Sequence, residues 1–189
     1  MSRLGPWEPA TMEERVDRME SLAAIRQLPC RYALALDSRD MDAMAALFVP
    51  DVQAGSEVGR DALRRWFTQI LQASRTTIHL VANHIVDFDD AHHARGVVYC
   101  RDQLERPSSG RWEIGDLQYW DSYERVDGEW CFRRRKFHRW YLTDALSRPA
   151  HGAGVNDGSD PLAAGQLPEA FPTWAPYWES VGQPAGHES

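Results

Sequence analysis

The chain has 189 residues, 43% of them hydrophobic, and a formal net charge of -7. One domain with an extension fits that length, and the apolar fraction is enough for a packed core. The acidic balance argues against a nucleic-acid binder or a protein of anionic membrane surfaces, and no apolar run is long enough to span a bilayer.

Residues 1–10 read as an irregular arm with Pro6 and Pro9. Met1 to Trp7 lacks the apolar core of a signal peptide, so a soluble, cytoplasmic protein is expected. Thr11-Met12-Glu13-Glu14 reads as a helix start, a hydroxyl cap followed by acidic residues that suit the helix dipole. Helical spacing of Val16, Met19, Leu22, Ala23, Ile25 and Leu28 continues it, and Pro29 is expected to kink the helix or split it in two. The pattern resumes with Tyr32, Leu34, Ala35 and Leu36. Asp40 can cap a short helix carrying Met41, Met44, Ala45, Leu47 and Phe48, which Pro50-Asp51 ends. Gly59 precedes a third helix, roughly 60–73, with Leu63, Trp66, Phe67, Ile70 and Leu71 along one side.

After Ser74 the period changes from helix to strand. Residues 76–88 alternate, with Ile78, Leu80, Ala82, His84, Val86 and Phe88 on one parity. Asp89 to His92 marks a hairpin turn, 93–106 a second strand and Pro107-Ser108-Ser109-Gly110 another turn. Residues 111–126 form a third strand, Asp127-Gly128 a tight turn and 129–142 a fourth strand. Helices followed by an antiparallel meander indicate an α+β domain over residues 11–146. From Ser147 the chain is rich in Gly, Pro and Ala and reads as an extended tail. Its aromatic end (Phe171, Trp174, Tyr177, Trp178) is suited to dock on the body or on a neighbouring subunit.

Cys30, Cys100 and Cys131 are far apart and form no CxxC pair, so buried free thiols are expected rather than a disulfide or structural zinc. His84, His92 and His93 could belong to a metal set, but His92 and His93 fall in a turn and read as surface residues. There is no phosphate-binding glycine loop and no dinucleotide fingerprint, so neither cofactor nor metal is expected.

Two stretches carry the chemistry. Cys30 to Asp40 puts Asp37 near the C-terminal end of an amphipathic helix, and Thr77 to His84 puts His79 at the start of an alternating strand. A carboxylate that orients an imidazole makes a general base that works near neutral pH. If the fold joins them, Asp37 and His79 are a proton-abstraction pair. If it does not, Asp37 caps the following helix and His79 is a core histidine.

The pattern Ile25 … Tyr32-Ala33-Leu34-Ala35-Leu36-Asp37-Ser38-Arg39-Asp40 … Leu47-Phe48-Val49-Pro50-Asp51 resembles the opening of the SnoaL-like branch of the NTF2-like superfamily. Tyr123-Glu124-Arg125-Val126-Asp127-Gly128-Glu129-Trp130 resembles its end, and the likeness covers about residues 12–145. It implies an NTF2-like cone, a curved antiparallel sheet wrapped by N-terminal helices around one deep pocket. Within the superfamily the chain is most similar to the dehydratase and lyase branch, with the bile acid 7α-dehydratase, scytalone dehydratase and hexachlorocyclohexane dehydrochlorinase families. That resemblance implies an Asp–His dyad at Asp37 and His79, a tyrosine at Tyr32, a second aspartate at Asp102 and an arginine at Arg139. It departs at one place. Scytalone dehydratases carry a second catalytic histidine on the strand that here runs from Ile114 to Gln118, where this chain offers Asp116 or nothing. A steroid-like substrate is therefore favoured over a scytalone-like one.

The residue chemistry suits these roles and also admits plainer ones. The Tyr32 phenol can donate to a carbonyl or enolate oxygen, or be an ordinary core tyrosine. Asp102 shares parity with Val98, Cys100 and Leu104, so it points inward, where a carboxyl with a raised pKa can protonate a departing hydroxyl. Alternatively it pairs with an inward arginine. Arg139 is that partner, or a ligand for a substrate carboxylate. Arg139 and the aromatics Trp130 and Phe132 have opposite parity, which calls for a bulge and leaves open which face is inside. Arg133-Arg134-Arg135-Lys136 reads as a solvated edge or an inter-subunit patch. Asn83, Asp116, Trp120 and Trp66 are further candidates for substrate contact.

The expected function is a cofactor-independent dehydratase. It would remove water by β-elimination from a small hydrophobic, carbonyl-activated hydroxy compound, polycyclic and steroid-like. The first alternative is a ketosteroid-type isomerase with the same dyad. The second is a non-catalytic pocket protein, or one like the small subunit of a ring-hydroxylating dioxygenase. The resemblance further implies a homodimer or homotrimer.

Overall fold

The computed structural model describes residues 7–147 and 166–181, apart from the side chains of Trp178 and Val181. Thr11 starts the first helix as its spacing predicts. Its Oγ1 accepts the Glu14 N–H at 3.1 Å, and the Glu14 carboxylate accepts the Thr11 N–H at 3.2 Å. These reciprocal bonds satisfy donors that a helix start leaves orphaned. Helix α1 then runs unbroken from Met12 to Asp37, so Pro29 does not split it. Pro29 is itself buried in the same face as Ile25, Leu28 and Tyr32. Burying each large apolar side chain contributes about 1.5–3 kcal/mol, which together outweighs the roughly 3 kcal/mol cost of an interior proline.

Asp40 caps α2 (Met41–Ala46) by accepting the Ala43 N–H at 2.9 Å. The helix stops short of Phe48 because the last strand captures the next backbone: Phe132 N–H donates to Leu47 O at 2.8 Å, and Val49 N–H to Phe132 O at 3.0 Å. A small hairpin comes next, β1 (Gln53–Ala54) and β2 (Glu57–Val58), then α3 (Arg60–Ile70) and one 3₁₀ turn, Leu71–Ala73.

Four long strands form one antiparallel meander in the order β3 (Thr76–Phe88), β4 (His93–Glu105), β5 (Trp112–Val126) and β6 (Glu129–Asp144). At the β5–β6 turn Asp127 and Gly128 have φ of 51° and 87°, the left-handed pair that a two-residue hairpin favours. The buried face of α1, through Ile25, Leu28, Tyr32 and Leu36, joins Val98, Tyr119 and Phe132 of the sheet in one core. Helices thus wrap one face of a curved antiparallel sheet, the α+β cone of the NTF2-like fold.

Three register shifts decide which side chains face inward. In β3 the pairing slips between Val81 and His84. Thr77, His79 and Val81 face the helices before the slip, and His84, Val86 and Phe88 after it, while Ile78, Leu80 and Ile85 are exposed. The expected single parity from Ile78 to Phe88 is corrected accordingly. In β6 the pairing slips at Arg133 and again at Trp140. Each bulge inserts one residue and re-aims the side chains beyond it, so Phe132, Arg135, Phe137, Arg139 and Leu142 share the inner face. That removes the conflict of parity between Arg139 and the aromatics.

The described part of the tail is not extended. Trp174–Val181 forms α4. The N–H groups of Gln166 and Leu167 donate to Arg139 O at 2.6 and 2.9 Å, and Leu167 is fully buried. Phe171 packs on Trp120 and Trp140, with ring centroids 5.9 and 6.2 Å apart, so this segment covers the outer face of its own sheet. Residues 148–165 and 182–189 of the expected tail lie outside the described residues, as does the expected arm before Trp7. Cys100 and Cys131 are buried thiols, but Cys30 is exposed, because it falls on the solvent side of α1. No helix of the described residues is long and apolar enough to cross a membrane.

Candidate active site

A cavity of about 990 Å³ opens between the inner face of the sheet, α1, α3 and the β1–β2 hairpin. That is the size range of a small-molecule site. His79, Asp102, Arg139, Tyr32 and Trp66 line it.

Asp37 is the last residue of α1, and β3 passes beside it. His79 Nδ1 lies 2.6 Å from Asp37 Oδ1, and the His79 backbone N–H donates to Oδ2 at 2.9 Å. Thr77 Oγ1 donates to Oδ1 at 2.9 Å and itself accepts from Arg39 Nη1 at 2.7 Å. Arg39 adopts a left-handed φ of 62°, uncommon for a residue with a Cβ. From that turn its Nη2 also reaches Ser74 O at 3.0 Å. One guanidinium thus ties the end of α1 to the start of β3. Burial pushes the Asp37 carboxyl up, but the hydrogen bonds from the His79 ring and backbone and from Thr77 outweigh it and hold Asp37 below its ordinary value. An ionised Asp37 fixes the proton on His79 Nδ1 and leaves Nε2 with the lone pair.

Asp102 is the direct cross-strand partner of His79, and the next residue in that row is Gly115 of β5. Arg139 Nη2 donates to Asp102 Oδ2 at 2.6 Å, with the two side chains 3% and 4% exposed. Burial pushes the Asp102 carboxyl above its ordinary value, against the opposing pull of Arg139 and His79. Asp102 Oδ1 occupies the space over Gly115 Cα where a side chain would begin. Gly115 is therefore part of the site, and an isolated glycine inside a strand pattern was the signal that could have found it.

The Tyr32 ring packs edge-on against Phe48, Phe67, Tyr119 and Phe132. Burial, opposed by Arg135, pushes its phenol well above the ordinary value, so it remains a proton donor. Trp66 stands at the cavity wall, 43% exposed, against Phe67.

Three expected contacts are not at the cavity. Asn83 falls in the β3 bulge and is exposed. Asp116 points to the outer face, where it pairs with Arg101 at 2.7 Å and accepts from the Tyr141 hydroxyl at 2.5 Å. Trp120 shares that outer face and stacks on His138 with centroids 4.1 Å apart. Strand alternation gives the reason: Gly115, Leu117, Tyr119 and Asp121 face inward, so their neighbours cannot. Arg135 corrects the solvated-edge expectation, since its side chain is 5% exposed and paired with the fully buried Asp121. Asp121 shares parity with Leu117, Tyr119 and Tyr123, the same signal that marked Asp102.

His92 and His93 are tied to Asp90 in an exposed turn, and His84 bonds Tyr123 on the inner face. Among the described residues no group of three or more His, Cys, Asp or Glu is set to hold a metal ion.

The fold has counterparts among known structures. A scytalone dehydratase candidate from Novosphingobium aromaticivorans DSM 12444 is 27% identical, covering 72% of this chain and 95% of that one, with a TM-score of 0.61. A type 3 hexachlorocyclohexane dehydrochlorinase from Novosphingobium barchaimii LL02 is 22% identical over 71% of this chain and 96% of that one, with a TM-score of 0.63. A type 2 hexachlorocyclohexane dehydrochlorinase is 22% identical over 71% and 95%, with a TM-score of 0.64. At that identity these last two are likenesses of fold. No curated protein matches the chain at a significant level. The SnoaL-like domain model matches residues 17–136, more than half of the chain and the span that holds Tyr32, Asp37, His79 and Asp102. The chain belongs to the SnoaL-like domain family of the NTF2-like superfamily.

Proposed function

We propose that the protein is a cofactor-independent lyase, a dehydratase that removes water by β-elimination from a hydroxylated, carbonyl-activated polycyclic compound such as a steroid. The observation that carries this reading is the hydrogen bond from His79 Nδ1 to Asp37 beside a cavity that His79 and Asp102 both line. The names of the similar solved structures, a dehydratase candidate and dehydrochlorinases, support elimination chemistry.

His79 Nε2 takes a proton from carbon next to the carbonyl, or next to its vinylogous extension. Asp37 stabilises the imidazolium that forms. The electron pair moves to the carbonyl oxygen, where the Tyr32 hydroxyl donates to the enolate. The enolate then collapses and expels the hydroxyl from the β-carbon. Asp102, whose carboxyl burial pushes above its ordinary value, gives that hydroxyl a proton so that it departs as water, and Arg139 stabilises the carboxylate left behind. A proton passing from His79 to Asp102 restores the resting state. Self-association as a dimer or trimer belongs to the same reading.

The test is mass-detected turnover of a panel of β-hydroxy ketones and 7-hydroxy-3-oxo-4-ene steroids, with His79→Ala beside the parent. Loss of one water by the parent alone supports the dehydratase. An isomer of unchanged mass replaces it with a ketosteroid-type isomerase. Tight binding without any reaction replaces it with a pocket-binding protein.

A further inference from the structure

The inner face of β5 and β6 carries a second polar group apart from the His79 site. Arg135 Nε and Nη2 donate to the two oxygens of Asp121 at 2.9 and 2.7 Å. The Tyr123 hydroxyl donates to the same carboxylate at 2.9 Å, and His84 Nε2 lies 3.0 Å from that hydroxyl. Asp121 is thus fixed by two residues, and it aims the Arg135 guanidinium. The guanidinium carbon stands 4.4, 4.0 and 4.2 Å from the ring centroids of Tyr32, Tyr119 and Phe132. Arg135, Tyr32 and Tyr119 all line the cavity.

A buried ion pair contributes little net stability compared with apolar residues of the same volume. At a cavity wall its strength lies elsewhere. It holds guanidinium N–H donors rigidly where water is scarce, and donors fixed in advance stabilise an anion formed during a reaction. Asp121 engages one edge of the guanidinium and leaves Nη1 on the other. Burial keeps the Tyr32 and Tyr119 phenols protonated, so both are donors.

We propose that Arg135, with Tyr32 and Tyr119, forms an oxyanion-binding site that takes the carbonyl oxygen of the substrate and then the enolate oxygen, and so sets the direction in which the substrate lies. This rests on the elimination reading above and adds its orientation. The carbonyl end lies toward Arg135, the departing hydroxyl lies toward Asp102 and Arg139, and His79 acts on the carbon between them. Arg135 and Arg139 are four residues apart on β6, about 13 Å of strand. A ligand that engages both ends is therefore larger than a single ring. Asp121 is a positioning residue, since it acts through Arg135.

Binding of 2-naphthol, a planar aromatic alcohol whose anion resembles a dienolate, tests this without turnover. Its ionised and neutral forms differ in absorbance. The parent is expected to bind it with its ionisation shifted at least tenfold toward the anion, one pH unit. The double variant Arg135→Gln with Asp121→Asn, which leaves no unpaired charge, is expected to lose that shift while circular dichroism stays native. Tyr119→Phe, a change that preserves packing, is expected to reduce it, and His79→Ala to keep it. Neutral naphthol bound to the parent, no detectable binding, or an unchanged shift in both the double variant and Tyr119→Phe overturns the proposal. If the steroid panel shows no elimination yet the Arg135-dependent shift is present, the oxyanion site stands and only the elimination reading falls.

Discussion

Asp102 and Gly115 sit directly opposite each other on β4 and β5, and the Asp102 carboxylate fills the space that a side chain at residue 115 would need. A Cβ there would also come within 3.3 Å of Arg139 Nε. One missing methyl is thus what lets a carboxyl and a guanidinium share the cavity wall.

Gly115→Ala is expected to displace Asp102 and to lower kcat at least tenfold with a smaller change in KM, since a misplacement of about 1 Å can cost 100-fold. The strain of overpacking is about 1–3 kcal/mol, which a thermal melt will register without loss of the fold. Parent-like kcat in a folded Gly115→Ala protein would sink this account of Asp102.

Asp37→Asn preserves the size of the side chain but removes the charge that stabilises the His79 imidazolium. A loss of kcat of about 100-fold or more is expected. The pH–rate profile carries a second sign. Asp102 must hold its proton to act as the acid, and burial raises its value, so the rate falls as pH rises through that raised value. Asp102→Asn is expected to remove this basic limb along with most of the activity, and a limb that survives would assign it to another group.

His84 makes stability depend on acid. Burial pulls its imidazole down from 6.5 to about 4, with Asp121 opposing and Arg135 assisting. The unfolded chain takes up this proton near pH 6.5, whereas the folded chain resists until about 4. The unfolded state therefore binds more protons in that window, and stability falls as pH falls through it, by on the order of 1–2 kcal/mol once solvent screening of the partly exposed ring is allowed for. Because the Tyr123 hydroxyl donates to Asp121, His84 Nε2 must be the donor to Tyr123, a role that glutamine can fill. Urea unfolding at several pH values is expected to give a flatter acid slope for His84→Gln than for the parent. Equal slopes would place the acid sensitivity elsewhere.

Leu167 is fully buried beside the Arg139 backbone. Leu167→Ala is expected to cost about 2–5 kcal/mol and to lower Tm by roughly 5 °C or more. A change under about 1 °C in calorimetry would mean that the tail contributes nothing to the body.

The sequence by itself determined the elements and the direction of the fold. Helical spacing in 12–37, alternation in the four long strands, and turn chemistry at Asp127-Gly128 are local properties, and each appears in the structure close to where its pattern predicts. Inward parity at Asp102 was legible for the same reason. Tertiary structure alone decided the rest. Bulges in β3 and β6 are one-residue shifts set by pairing with a neighbouring strand, so no spacing within a strand announces them, and they moved Asn83 out of the cavity and turned Arg135 and Arg139 into it. Whether Pro29 breaks a helix depends on the packing energy around it, not on proline alone. The meeting of Asp37 with His79, 42 residues away, and of Asp102 with Arg139, 37 residues away, depends on sheet register and on the path of α1 across the sheet. Register is a property of strand pairs, and only the folded chain contains it.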